Sequence, residues 1–521
     1  MTRTTMIVIA LFCAGLLSLA PGCGDDDGGG SDSDTDTDTD TDTDTDTDTD
    51  ADDPLTWSSC EEYLAEPNEG EECAMASVPL RRDVDDSETI EILVRRIPAQ
   101  QERRGEVWYL GGGPGNGSTV YTAEMQVLAE IAPDLDVYLP SHRGTYLGTE
   151  MTCDALSEEG YPGFAASCSA ELIDQWGAEN LVGFRPAEAA WDVIDLITRM
   201  GEPEGEVFLY GLSYGGFWLS RLLQLAPELP TAVVWDCPSD PAGWETQAHL
   251  RLAGDVGARR LMDDCAVDSV CGAALGDDPA SHVETLLATD TGVCLTGLLA
   301  DNLRERFKTA LYFPEFRATL PALVARLERC EEEDEMAWLY WDEALNARAM
   351  AANSGHWSTV LYHHITLSER VHSIMPDEEV DTLAATTIAY DTAAVKDLGA
   401  VADHWALYEE PELESAWPES VPPFLYLWSE YDAAVAATIA EDAQTEIEGQ
   451  FVTLENSAHS MFSESRQTEE VRECARDLVG QFLADYETPM DTTCADELPM
   501  IDFVSDEWAE SLFGTTTTWP Q

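Results

Sequence analysis

Seven short stretches of the chain carry apolar side chains in the rhythm of β-strands. Residues 87–98, Ser-Glu-Thr-Ile-Glu-Ile-Leu-Val-Arg-Arg-Ile-Pro, partly alternate, which predicts a strand with one wet face. Residues 107–110, 135–139, 207–210, 232–235, 424–428 and 451–454 are instead short and mostly apolar throughout. Such runs, separated by helical stretches, predict a parallel sheet covered on both faces. From about 242 to 418 the rhythm changes to helix formers, with amphipathic segments at 320–329 and 336–351 and no regular strand alternation. The expected architecture is α/β: a mostly parallel central sheet, with a helical domain inserted between two of its strands.

The first fifty residues follow neither rhythm. Arg3 precedes a nearly unbroken apolar run, 6–20, too short to span a bilayer comfortably, and Ala-Pro-Gly-Cys closes it at 20–23. This predicts a signal peptide over 1–22 and a bacterial lipoprotein with lipid on Cys23, held at the cell envelope or surface; ordinary secretion is the alternative. Residues 24–53, four glycines among aspartates and Asp-Thr repeats, have nothing with which to build a core. Together with Cys23 they read as a disordered tether, reaching about 100 Å at full stretch. The remaining expected divisions are a first core segment at 54–241, a helical cap at 242–418 and a second core segment at 419–521.

Charge narrows the partners. The formal net charge is −76. Fifteen aspartates and one arginine within residues 1–53 account for −14 of it, leaving −62 on the rest. Phosphate backbones would be repelled, so nucleic acid is excluded as a partner. Contact with a membrane is expected through the N-terminal lipid alone. Export would let cysteines pair. Neighbours in sequence suggest Cys60–Cys73, Cys153–Cys168, Cys265–Cys271, Cys294–Cys330 and Cys474–Cys494, leaving Cys237 as a buried thiol. No CxxC pair or His-x-x-x-His array suggests a metal, and no cofactor is called for.

The chemistry gathers at the carboxyl ends of the apolar runs. Gly-Leu-Ser-Tyr-Gly at 211–215 follows one run and precedes a helical stretch at 217–225. This is the setting of a nucleophile on a tight strand-to-helix turn, where its neighbours must be small. Gly-Gly-Gly-Pro-Gly at 111–115 follows an earlier run, where backbone N–H groups can face a substrate oxygen. Asp432 lies just past the run 424–428 and His459 just past 451–454. The order Ser213, Asp432, His459 suits an acyl-transfer triad on this kind of sheet. Glu430 is a rival for the acid. Gly113 and Tyr214 are the expected oxyanion donors.

These motifs, with His142-Arg143-Gly144-Thr145 after another run, resemble the proline iminopeptidase and tripeptidyl aminopeptidase family of α/β-hydrolases. The opening Trp57…Cys60…Cys73 and the ending Cys474 to Cys494 resemble its secreted branch. The resemblance covers roughly residues 55–510. It implies the α/β-hydrolase fold and cleavage at a free peptide N-terminus, with the amine read by an acidic residue of the cap, for which Glu369 is the candidate. Gly111, Ser141 and Tyr146 depart from the family's usual His, Asp and Gly. The functions open to this sequence are an exopeptidase releasing N-terminal residues or short peptides, an esterase or amidase on other small substrates, and a surface binding protein on the same scaffold.

Overall fold

The computed structural model describes residues 55–200, 205–288, 300–352, 355–410, 413 and 415–520. The expected signal peptide, Cys23 and the Asp/Thr tether lie outside the described residues, as does Cys294. Nine strands form one sheet: β1 (Ser58–Ser59), β2 (Glu72–Pro79), β3 (Thr89–Ile97), β4 (Gly105–Leu110), β5 (Leu135–Pro140), β6 (Glu206–Leu212), β7 (Ala232–Asp236), β10 (Phe424–Ser429) and β11 (Gln450–Leu454), in the order β1-β2-β3-β5-β4-β6-β7-β10-β11. The pairs β1–β2, β2–β3 and β3–β5 are antiparallel, and every pair from β5 to β11 is parallel. An antiparallel start, a crossover exchanging β4 with β5, and a parallel run to the far edge constitute the strand order of the α/β-hydrolase fold.

The apolar runs are explained by what covers each face. Along β4, Trp108 and Leu110 enter a core with Leu209, Val193 and Leu222, whereas Val107 and Tyr109 enter the opposite core with Phe208, Met125 and Leu478. Successive strand side chains alternate between faces, so a sheet covered twice needs apolar residues at every position. The helices Pro186–Met200 and Tyr214–Leu225 cover the first face, and Thr122–Ile131 and Glu469–Ala484 the second.

Between β7 and β10 the sheet gains no strand. The intervening helices include Ala253–Val267, Ala300–Ala310, Pro314–Arg329 and Glu332–Ala352, and they build a core of their own around Leu261, Phe307, Leu323 and Trp341. Two strands were not anticipated in this stretch. β8 (Trp244–Thr246) pairs in parallel with β9 (Val371–Ser373). Each is three residues long, too short to display alternation. The disulfides Cys60–Cys73, Cys153–Cys168, Cys265–Cys271 and Cys474–Cys494 are formed, Cys237 is a buried free thiol, and Cys330 is disulfide-bonded. Such bonds belong to an oxidising environment outside the cytosol. Among the described residues no helix is long and apolar enough to cross a membrane.

Candidate active site

Strand β6 ends at Leu212 and a helix begins at Tyr214, so Ser213 alone makes the turn. Its backbone sits at φ 56°, ψ −120°, a region that L-residues avoid at a cost of about 1–3 kcal/mol. The turn is clamped: Ser213 N donates to Asp236 O at 2.9 Å, and Ser213 O accepts from Gly216 N and Ser239 N, each at 2.9 Å. The flanking glycines are dictated by space. A Cβ on Gly215 would stand 1.9 Å from Leu110 O, and one on Gly216 would stand 2.3 Å from Pro238 Cβ.

The glycine loop after β4 lies against this turn. A Cβ on Gly112 would come to 3.0 Å from Ser213 Cβ, and Gly113 holds φ +132°. Tyr214 opens its helix, so its N–H has no carbonyl one turn earlier to bond. Its side chain is drawn away into the core, where Tyr214 Oη stands 3.0 Å from His142 Nε2. His142 Nδ1 is 2.8 Å from Arg143 O and must donate there, so Nε2 accepts from the tyrosine. Burial pushes the His142 imidazole down to about 4, which keeps it neutral in that role. Position 111 has no room for a side chain, because a Cβ there would strike the Tyr121 ring at 2.4 Å. Tyr121 takes the space that a side chain at 111 would need.

His459 follows β11 in a loop with two residues of positive φ, Asn456 at 52° and Ser460 at 73°. Its Nδ1 is 2.6 Å from Asp432 Oδ2, and both residues are buried. Asp432 Oδ1 accepts from Ala434 N at 2.7 Å and from Val435 N at 2.9 Å, which fixes the carboxylate facing the ring. Glu430 is engaged elsewhere, taking Arg260 Nε at 2.7 Å and Asn456 N at 3.2 Å. Behind the imidazole lies the Cys237 thiol, which burial and the nearby Asp236 and Asp432 push well up. Asp236 accepts from Tyr210 Oη at 2.8 Å and from Met461 N at 3.1 Å. One residue thus grips the nucleophile turn through its carbonyl and the histidine loop through its carboxylate.

Ser213, His459, Gly112 and Gly113 open on a cavity of about 710 Å³, walled by Tyr121, Tyr312, Phe313, Trp357 and Ala352. A larger depression of about 910 Å³, bordered by Tyr63, His356 and Arg476, contains none of Ser213, Asp432 or His459. Glu369 does not line the 710 Å³ cavity. Its carboxylate is buried, pairs with Arg221 of the nucleophile helix at 3.3 Å and accepts from Tyr408 Oη at 2.7 Å. This corrects its expected place at the substrate: it bonds the inserted segment to the sheet domain. The cavity's own charged groups are Glu124, Arg251 and Arg466. Burial pushes the Glu124 carboxyl up to about 7, and its Oε2 has no hydrogen-bond partner. A signal for Glu124 existed, since it is the acid in the first turn of the helix that follows the glycine loop. Arg251 and Arg466 had none, being placed by folding alone.

No family model and no curated protein matches the chain. Among solved structures it is similar to a serine hydrolase of the polyaromatic-hydrocarbon-degrading Cycloclasticus zankles, at 13% identity and TM-score 0.32 over 80% of this chain and 100% of that one. An esterase of Exiguobacterium antarcticum matches at 12% identity and TM-score 0.36, over 79% and 100%. A thermophilic esterase of Thermogutta terrifontis matches at 14% and 0.32, over 79% and 100%. Likenesses this distant add nothing to the assignment of the fold, which rests on the strand order: the chain folds as an α/β-hydrolase.

Proposed function

We propose that this protein is a serine hydrolase working through an acyl-enzyme on Ser213. The observation that carries the reading is the strained Ser213 turn, open to the same cavity as a histidine whose Nδ1 is 2.6 Å from Asp432. In the first step Ser213 Oγ adds to the substrate carbonyl carbon while His459 Nε2 takes the hydroxyl proton. Asp432 holds the ring and stabilises the imidazolium. The backbone N–H groups of Tyr214 and Gly113 are the donors for the oxyanion, each worth about 3–4 kcal/mol of the barrier. The tetrahedral adduct collapses, His459 returns the proton to the leaving amine or alcohol, and water repeats the sequence to free the acid. Reaction with a fluorophosphonate probe tests this. Labelling is expected in the wild type and lost in Ser213→Ala; an unlabelled wild type would leave a binding protein on a hydrolase scaffold.

The cavity volume suits a small ligand or a chain end rather than the middle of a folded protein. Small esters and amides fit this description without further assumption. Exopeptidase cleavage is supported by a specific group, Glu124, a half-buried carboxylate at the cavity with one buried, unpartnered oxygen, suited to a substrate amine. Comparing a peptide anilide with its N-acetylated form tests that role. If blocking the amine leaves turnover unchanged, the substrate is read as an ester or amide alone. For location, the proposal is export with lipid on Cys23, checked by mass spectrometry of the mature N-terminus.

A further inference from the structure

The chain has 102 acidic side chains against 26 Lys and Arg, and most arginines end on a carboxylate, although the buried Arg317 and Arg370 end on backbone carbonyls and on Ser239 Oγ instead. Arg82, Arg95, Arg143, Arg326 and Arg348 all end on Asp or Glu. Arg251 and Arg466 do not, although both line the cavity that holds Ser213 and His459. Among the described residues neither lies within ion-pair distance of a carboxylate. Arg251 donates one Nη–H to Tyr362 Oη at 3.1 Å, and its buried Nε has no partner. Asp391 is close enough to favour its charge, but that carboxylate caps Ala394 N at 2.9 Å. Arg466 lays its guanidinium 5.0 Å from the centroid of Tyr312, itself a cavity wall.

Both guanidiniums are partly exposed in a cavity that also presents Asn116, Thr309, Ser463 and Ser465, and like charges facing one space favour something negative between them. Glu124 forms no ion pair with either, although Arg466 is close enough to favour its ionised form. Behind the lining, Lys308 is buried near Arg251, and Asp391 favours the charge of both. The cavity lining thus carries two guanidiniums against one carboxyl, Glu124, within a strongly acidic molecule.

We infer that Arg251 and Arg466 form a subsite for a substrate carboxylate, so that the preferred substrates are small esters or amides bearing a free acid. The inference rests on the serine-hydrolase reading and narrows its substrate class. The acid could belong to the acyl group, as in a dicarboxylate half-ester, or to the leaving group, as in a short peptide with a free C-terminus. Two matched pairs separate these sources: nitrophenyl hemiglutarate against nitrophenyl valerate, and a dipeptide against its C-terminal amide.

The wild type is expected to favour the acid of at least one pair by about tenfold to hundredfold in kcat/KM, the range for a charge-assisted hydrogen bond. Arg251→Gln and Arg466→Gln should each reduce that ratio, and Arg251→Lys should keep part of it. A wild-type ratio at or below one in both pairs overturns the inference, as does a ratio that both Gln variants leave unchanged. Glutarate supplies a readout without turnover. It should raise the wild-type Tm and do so less in Arg251→Gln; no shift in the wild type counts against the subsite. Fluorophosphonate labelling run in parallel separates the two failures. A labelled enzyme that ignores the acid refutes only the subsite, whereas an unlabelled one refutes the hydrolase.

Discussion

Glu430 and Asp432 stand two residues apart after β10, and only Asp432 meets the imidazole. Its second oxygen is held by two backbone N–H groups, so the ring sees a fixed acceptor. Asp432→Asn would present an amide to Nδ1 and favour the wrong tautomer; kcat is expected to fall by about 10⁴-fold. Glu430→Gln loses a bond to Arg260 and should change kcat far less, and ester hydrolysis measured on both variants decides between the two acids. Glu124 gives a second test, through pH. Its carboxyl is pushed from 4.5 up to about 7, so the folded chain holds a proton that the unfolded chain releases in that window. Its contribution to stability is therefore fully present below 4.5 and lost as pH rises through 7, a swing of about 3 kcal/mol. Glu124→Gln should gain on the wild type in thermal denaturation between about pH 5 and about pH 8. A difference that does not vary with pH rejects the buried ionisation. Sequence alone was informative about residues at strand ends, because a strand's carboxyl end fixes where Ser213, Asp432 and His459 must lie. It was uninformative about Glu369, because the facing of a carboxylate in a helical insertion depends on which arginine it meets, here Arg221.

Elements that the sequence resolved are those whose pattern reflects burial on two faces: β4, β5, β6, β7, β10 and β11 all coincide with apolar runs. Strand β2 escaped notice because Glu-Cys-Ala-Met-Ala-Ser-Val-Pro has little intrinsic preference for extended structure. Eight residues paired with β3 and the Cys60–Cys73 bridge hold it in place. The His142-Arg143-Gly144-Thr145 segment was legible as a motif but not in its purpose. Arg143 is fully buried, forms a bidentate pair with Asp192 at 2.8 and 2.6 Å, and donates to Leu80 O at 2.8 Å and to Gly183 O. It fastens the loop after β5 to the helix Pro186–Met200 and to the end of β2. Arg143→Met keeps much of the volume but leaves Asp192 only the partly exposed Arg82. A loss of about 3–5 kcal/mol is expected in urea denaturation, the usual penalty for stranding a buried charge. A loss below about 1 kcal/mol would mean that Arg82 alone satisfies Asp192.

At the scale of the whole molecule, two electrostatic patterns oppose each other. Close Arg–carboxylate pairs such as Arg95–Glu71, at 2.5 Å with both side chains fully buried, attract over short distances and are poorly reached by ions. The surplus of acids, −62 beyond residue 53, repels over distances longer than a Debye length of about 8–10 Å at moderate salt. Salt therefore weakens the repulsion more than the attraction. Repulsion falls mainly on the folded state, because folding concentrates the charge into a smaller volume. The Tm is thus expected to rise from about 0.01 M to about 0.5 M sodium chloride, with most of the gain below about 0.2 M, where the Debye length changes fastest. An uncharged osmolyte such as sucrose gives the control, since it favours burial without screening. A steep rise that levels off above about 0.2 M in salt, with no such levelling in sucrose, would identify screening as the cause. A Tm that falls with salt would instead assign net stability to exposed ion pairs such as Arg476–Glu130 and Arg472–Glu464, and the acidic surface would then no longer count as a destabilising load.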